Sequence, residues 1–527
     1  YLKREQYGDS PLVKGYSFNS PLDNRKPYLD GSPVYYPNEE TGRYEIADNK
    51  ENSIPNYASE FDILFPRMWS SKSNHISAYK AWSNFKGKPI QYRTVQGNTE
   101  TIYKPTFGEN ITYFIKYQVY WMWGRYFMWN FAGRQNDTQG HGIDPNQYTD
   151  GNWISGIKPL DEARLGNMDK LPTELKEDQR AYNKYYLLPL ILGLIGLFLQ
   201  YKYDKRGAVI VFLLFFFTGI AIVVYLNNYP YQPRERDYAF VGSFYAFAFW
   251  IGLGVMGLYR EFRDRVNPKM LASGVTALSF LAVPLLMAAQ NWDDHDRSDR
   301  YTAREIARNY LDSCDENAIL FTNGDNDTFP LWYLQEVEGY RTDVRVCNLM
   351  LLNTDWYIEQ MSRIAYDGEG IPISMEVDQY RQGTRDFIRY GELPNIDPQR
   401  HYDIKKIVPI ITKDKYRQRL SDGSMDNILP TRRFKLKVPK EKVIENGTVA
   451  PELADQIVDE IQWKTKGRYI MKNELALLDI LAHFDWERPI YFSITMGTDS
   501  YYGLQDYFQQ EGFAYRLIPI KTASGAQ

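Results

Sequence analysis

Three stretches of this chain run for twenty residues or more without a charge: Gly207–Leu226, Ala239–Tyr259 and Met270–Ala289. A helix of about twenty apolar residues, rising 1.5 Å per residue, crosses a hydrocarbon core of roughly 30 Å. A helix at the surface of a soluble core would carry a polar stripe, and these carry none. A fourth stretch, Tyr185–Tyr201, is shorter at seventeen residues and still within reach of a span. The prediction is four transmembrane helices at 185–201, 207–226, 239–259 and 270–289. The connections set their direction. Lys202–Arg206 carries three basic residues and Arg260–Lys269 four, whereas Asn227–Tyr238 carries only Arg234 and Arg236. By the positive-inside rule the first and third connections face the cytoplasm, and the middle one and both flanks face outward.

The rest of the chain is not membrane-like. Mean hydropathy is −0.50, which excludes a chain embedded throughout. The 62 basic and 66 acidic residues nearly balance, and no local Lys/Arg run offers the basic face of a nucleic-acid binder. Aromatic residues make up 16% of the chain, 43 of them Tyr. Such an excess suits sugar-binding surfaces and membrane interfaces. Cys314 and Cys347 are too few for a disulfide framework or a cysteine zinc site and read as buried thiols, although a pair remains open in an oxidising compartment. The chain starts at Tyr1 without a signal peptide, so a fragment or processed product is expected.

Residues 1–184 form the first outer segment, rich in Pro, Gly, Asn and Tyr. Within it Tyr113–Phe131 holds ten aromatics in nineteen residues, with Lys116 and Arg125 among them. That stretch predicts a helix lying in the membrane interface, since a fifth span would put the two soluble parts on opposite sides. Residues 290–527 read as an α/β domain. Thr302–Cys314 and Pro330–Glu338 have helical spacing, and Ala318–Thr322 and Val344–Leu352 read as buried strands, which makes a βαβ unit. Pro451–Trp463 and Asn473–His483 read as helices and Pro489–Ser493 as a strand. The fold class is thus membrane α-helical plus an α/β or α+β outer domain.

Gly252, Gly254 and Gly257 have dinucleotide-fingerprint spacing, but no strand precedes them. Inside a membrane helix they let a neighbour approach. Asn323–Thr328 carries Asp325 and Asp327, the kind of acidic pair that holds a metal and a nucleotide sugar. Phe329 spoils a calcium-loop reading, and the plainer reading is a turn that caps the next helix. The five histidines have no metal-ligand spacing, and no metal site is expected. Two charged clusters flank the predicted spans: Arg234-Glu235-Arg236-Asp237 before the third helix, and Asp293-Asp294-His295-Asp296 after the fourth. Charges near the hydrocarbon boundary are costly unless paired or facing water. They predict either a salt-bridge collar or a polar mouth, expected to converge, in which arginines hold a lipid-linked phosphate with their two-pronged hydrogen bonds. The catalytic candidates are Asp237, Glu235, Asp293 and Asp294. Arg234, Arg236, His295, Asp296, Asp325 and Asp327 are the candidates for substrate binding.

Long motifs carry a resemblance: YQPRERDYAFVGSFYAFAFWIGLGV (231–255), NWDDHDRSDRYTAR (291–304) and NAILFTNGDNDTFPLWYLQEVEGYRTDVRV (317–346). RYFMWNFAGRQND (125–137), GNWISGI (151–157) and WERPIYFS (486–493) belong to the same pattern. The chain resembles the Bacteroidetes membrane proteins of domain-of-unknown-function family 2723, over essentially its whole length. That family is similar to eukaryotic O-mannosyltransferases of the lumenal, plexin-modifying kind and to GT-C glycosyltransferases. The resemblance implies a polyprenyl-phosphate sugar donor, a protein or glycan acceptor, and work at the outer face of a bacterial inner membrane. It also implies an upstream multi-helix segment bearing the catalytic acid, which this chain lacks. A non-enzymatic envelope-assembly or glycan-binding membrane protein is the competing expectation.

Overall fold

A computed structural model describes residues 28–522, apart from 39–40, 56–64, 67, 71, 94–98, 143–148, 176–178, 394 and 420–424. The chain divides into two compact units, one of residues 1–30 and 52–298 and one of residues 31–51 and 299–527.

In the first unit an aromatic helix, α1, runs through Phe107–Tyr113, Phe114–Gly124 and Arg125–Phe131, its middle stretch wound as a π-helix. Thr106 and Glu109 cap its start reciprocally, the Thr106 side chain accepting from Glu109 N and Glu109 accepting from Thr106 N. Four apolar helices follow: α2 (Leu188–Tyr203), α3 (Lys205–Leu226), α4 (Asp237–Phe262) and α5 (Pro268–His295). Of these, α3, α4 and α5 are long and apolar enough to cross a membrane. The 185–201 stretch gives a shorter helix of 16 residues, about 24 Å at 1.5 Å per residue. It starts late because Tyr186 and Leu187 are left-handed, at φ 55° and 60°. The residues before them are held in extended pairing, Lys184 opposite Gly133. Helix α5 ends late. The predicted span stops at Ala289, but the backbone ladder continues through Asp293 and Asp294 to His295. Charge ends the apolar stretch without ending the helix.

The aromatic helix is largely packed into this unit. Tyr113, Tyr117, Trp121, Tyr126 and Trp129 join Val223 of α3 and Phe240, Phe244, Phe247 and Trp250 of α4 in one core. Lys116 is exposed, and Arg125 is 1% exposed. Glycines set the contact between α2 and α4. A Cβ on Gly196 would stand 1.7 Å from Trp250 O, and one on Gly254 would stand 2.5 Å from Leu192 O. Gly257 faces Leu199 in the same way, while Gly252 has open space beside it. Two of the three glycines of the fingerprint-like run therefore serve helix approach. Where α2 and α4 end and α5 begins, the three enclose a cavity of about 570 Å³ lined by Leu199, Leu253, Ala272 and Val275, with Gln200 and Arg260 at its polar part.

The second unit is built on a five-stranded sheet. Its strands are β1 (Ile319–Thr322), β2 (Arg345–Asn348), β3 (Ile490–Ser493), β4 (Phe508–Glu511) and β5 (Ala514–Leu517), in spatial order β2-β1-β3-β5-β4. The first three are parallel and the last two antiparallel. Helices α6 (Thr302–Asp312), α7 (Asp325–Glu338) and α8 (Lys472–His483) supply the predicted helical pattern, with α7 as the crossover of the βαβ unit. One predicted helix is corrected. Pro451–Trp463 splits into a 3-10 turn, Pro451–Gln456, and a strand, Glu460–Lys464. In that strand Ile461 and Trp463 are buried between more exposed neighbours, a period of two rather than 3.6.

Candidate functional site

The polar cluster of the first unit is organised around two arginines from the α1 end and the strand after it. Arg125 lies among the rings of Trp121, Tyr126 and Trp129, its guanidinium carbon 4.3, 4.6 and 4.5 Å from their centroids. It donates to Trp121 O at 3.2 Å and Gly151 O at 2.7 Å. Its two terminal nitrogens grip Glu235 through both carboxylate oxygens, at 3.2 and 2.7 Å. A planar fork on a carboxylate is the strong geometry for such a pair. Tyr126 donates its hydroxyl to the same carboxylate, and burial raises the Tyr126 pKa well above the phenol range. Gly151 is required here. Its φ is +54°, and a Cβ would stand 2.7 Å from Thr138 O and 3.1 Å from Arg125 Nη1.

Arg134 sits in the two-residue strand Gly133–Arg134, paired with Asn183–Lys184. Its guanidinium lies over Trp129 at 4.1 Å, and its Nε donates to Asn136 O at 3.0 Å. Among the described residues its two terminal amino groups make no hydrogen bond. Burial lowers its pKa, partly offset by attraction to Asp137, Asp237 and Glu235. Asp294 is also within its electrostatic reach. The end of α5 is laced to the same strand: Asn183 Nδ2 donates to Asp294 Oδ2 at 2.6 Å, Lys184 N to Gln290 Oε1 at 3.0 Å, and the Tyr185 hydroxyl to Asn291 Oδ1 at 2.7 Å.

The predicted site residues therefore separate by role. Glu235 is occupied by Arg125 and Tyr126. Asp237 opens the 3-10 turn Asp237–Phe240 and is half-buried. Arg236 donates to Gln232 Oε1 and the Tyr238 hydroxyl, at 3.1 and 2.7 Å. Arg234 is exposed and lies over Tyr238 at 5.5 Å. Asp293, His295 and Asp296 are exposed; His295 Nδ1 is 2.9 Å from Asn291 O, and Asp296 accepts from Ser298 N at 2.9 Å. The two charged clusters approach each other through Arg134 rather than through Arg234 and Arg236. Arg125, Tyr126, Arg134, Gly151 and Asn183 were not singled out by the sequence. Four of them lie in the motifs RYFMWNFAGRQND and GNWISGI, the one available signal.

Asp325 and Asp327 belong to the second unit. Asp327 accepts from the backbone N–H groups of Asn323 and Gly324 at 3.2 and 2.9 Å and from the Thr495 hydroxyl at 3.2 Å. It caps α7, while Asp325 stands exposed in the first turn. Cys314 and Cys347 are free and buried. Among the described residues no group of three or more His, Cys, Asp or Glu side chains is arranged to hold a metal ion.

Residues 303–527 match the family described as TMEM260-associated domain 2. Residues 8–115 match a family of unknown function, DUF8416. The protein O-mannosyl-transferase TMEM260 of Mus musculus is 32% identical over 115 residues, which is 21% of this chain and 16% of the mouse protein. The chain thus matches well under two thirds of that relative's length. No solved structure matches. Distant similarity to a protein O-mannosyltransferase and three helices fit to cross a membrane stand together in one chain.

Proposed function

We propose that this chain is part of an integral membrane glycosyltransferase that transfers sugar from a polyprenyl-phosphate donor to a protein or glycan acceptor. The finer placement belongs to the same reading: a Bacteroidetes protein of domain-of-unknown-function family 2723, with four spans in the inner membrane and both large flanking regions periplasmic. The observation that carries it is Arg134. A guanidinium stacked on an indole, partly desolvated and with two amino groups unengaged, is ready for a phosphate that offers two oxygens at once. As the lipid phosphate departs from the anomeric carbon, Arg134 stabilises the developing charge. A carboxylate takes the proton of the acceptor hydroxyl. Within this chain Asp237 and Asp294, both within electrostatic reach of Arg134, are the candidates for that carboxylate, with Glu235 committed to Arg125.

The test compares glycosylated periplasmic protein in cells expressing wild type, Arg134→Lys or Arg236→Lys at matched membrane levels. Lysine keeps the charge and loses the fork. A lost charged hydrogen bond is worth about 1.5–3 kcal/mol, roughly tenfold to more than a hundredfold in rate when felt in the transition state. Arg134→Lys is expected to fall by that factor, and Arg236→Lys, bonded within its own loop, by much less. Full glycosylation with Arg134→Lys would reject the phosphate role. Unchanged glycosylation on deleting the gene would reject the transferase and favour a glycan-binding envelope protein, a reading supported by an aromatic cleft in the second unit.

A further inference from the structure

That cleft lies on the outer edge of the five-stranded sheet, beside β2. It has a volume of about 230 Å³ and is lined by Trp332, Trp356, Tyr366, Glu336, Gln360 and Arg345, among others. Trp356 is 53% and Tyr366 63% exposed, so two large rings face solvent where burial would be the ordinary outcome. Tyr366 is held outward by its backbone. Its φ is 53°, a left-handed conformation that a bulky residue adopts rarely and at a cost. The turn is closed by Gly368 N donating to Ala365 O at 3.0 Å and Ala365 N to Gly368 O at 3.1 Å. The Thr342 hydroxyl pins Asp367 at 2.5 Å, and the Tyr366 hydroxyl donates to Glu336. Trp332 is backed by Phe329, stacked at 5.5 Å. The Tyr366 and Trp332 rings are therefore held before any ligand arrives, which lowers the entropic cost of binding.

The polar groups match a particular chemistry. Gln360 is exposed and its side-chain amide makes no hydrogen bond among the described residues. Arg345 is anchored through Nη2 to Gln360 O and Arg363 O at 2.9 and 3.2 Å. Its Nε is buried with no acceptor among the described residues. Glu336 brings a carboxylate that already accepts from Tyr366. Donors and acceptors side by side suit hydroxyls, which both give and take hydrogen bonds. The electron-rich ring faces suit the weakly positive C–H face of a pyranose. The volume is below the ~300–1,000 Å³ of pockets for drug-sized ligands, room for one ring rather than a run of peptide.

We propose that the second unit carries a saccharide-binding cleft for a neutral hexopyranose, stacked on Trp356 and Tyr366 and hydrogen-bonded by Glu336 and Gln360. This does not depend on the transferase reading, because a binding module serves an enzyme and a scaffold alike. The test is saturation-transfer NMR on the full chain in lauryldimethylamine-oxide micelles, which carry no sugar head group. The probes are methyl α-mannopyranoside, methyl β-glucopyranoside and methyl β-galactopyranoside at millimolar concentration, with a proline-rich peptide for comparison. At least one glycoside is expected to receive saturation at its ring C–H protons. Trp356→Ala should abolish the signal, and Tyr366→Ala should reduce it roughly fivefold, about 1 kcal/mol of affinity. Both residues are solvent-facing, and the thermal midpoint verifies that each variant is folded. Glu336→Gln, which keeps the shape of the side chain, should weaken the signal with the rings intact. No saturation of any glycoside, saturation that survives Trp356→Ala, or preferential binding of the peptide would overturn the proposal.

Discussion

Replacing Glu235 by Gln should destabilise the first unit severely, although the new side chain has the same shape. The Arg125 side chain is 2% exposed and that of Glu235 17%, so neither charge is well screened by solvent. Removing one partner of a buried pair costs about 3–5 kcal/mol, because the remaining charge stays in a poor dielectric. Arg125 keeps its bonds to Trp121 O and Gly151 O and its three aromatic neighbours, which places the expectation near the lower end, at about 3 kcal/mol. At roughly 2–4 °C per kcal/mol for a unit of this size, the thermal midpoint should fall by about 6–12 °C. Half-inactivation temperature in detergent, followed by the fraction left unaggregated after brief heating, is the appropriate measure where unfolding is irreversible. The double variant Arg125→Gln/Glu235→Gln closes a cycle. It should recover part of the loss, since no isolated charge remains. A loss below about 1 kcal/mol for Glu235→Gln, or a coupling energy below about 0.5 kcal/mol, would refute the view that this pair is held by charge rather than by shape.

Gly196→Leu should separate α2 from α4, because even a Cβ would stand 1.7 Å from Trp250 O; folded yield in membranes should drop sharply, whereas Gly252→Ala, with nothing within 4 Å, should be neutral. His483 donates from Nδ1 to the carboxylate of buried Asp479, which raises its pKa against the opposing effect of burial. Its stabilisation is therefore complete below the unfolded value near ~6.5 and lost as pH rises through the higher folded value. His483→Gln should flatten the melting-temperature profile in that window, by less than about 1 kcal/mol because the side chain is partly exposed; an unchanged profile would count against the pairing. Cysteines introduced at Lys170 and Lys466, both exposed, should label together with an impermeant reagent in spheroplasts, and labelling of one alone would overturn the proposed four-span topology.

The sequence exposed features that depend on local composition and hid those that depend on distant partners. Gly207–Leu226 announces α3 because twenty uncharged residues have few other structures open to them. The βαβ unit at 319–348 was legible because the apolar spacing changes cleanly between strand and helix. Pro451–Trp463 misled because its few apolar residues fit a helical period as well as an alternation, and only pairing of Glu460–Lys464 with Arg433–Lys437 decides between them. The start of α2 depends on two left-handed residues that carry no sequence marker. At the site, Glu235 and Asp294 stood out as charges beside apolar helices. Arg125, 110 residues before Glu235 in the chain, was read as an interruption of an aromatic helix. Its buried ion pair exists only once α1 and the 231–237 loop are packed together.

Helices α2 and α5 leave the same polar knot, where Asn183, Lys184 and Tyr185 grip Asp294, Gln290 and Asn291. At that end they are fastened by hydrogen bonds, and at the other they part around the 570 Å³ cavity. Helix α2 is about 24 Å long, while the uncharged stretch of α5 is about 30 Å. In the proposed four-span arrangement α2 is thus the shorter arm of the pair, and a bilayer holding both would thin around it or tilt the longer α5.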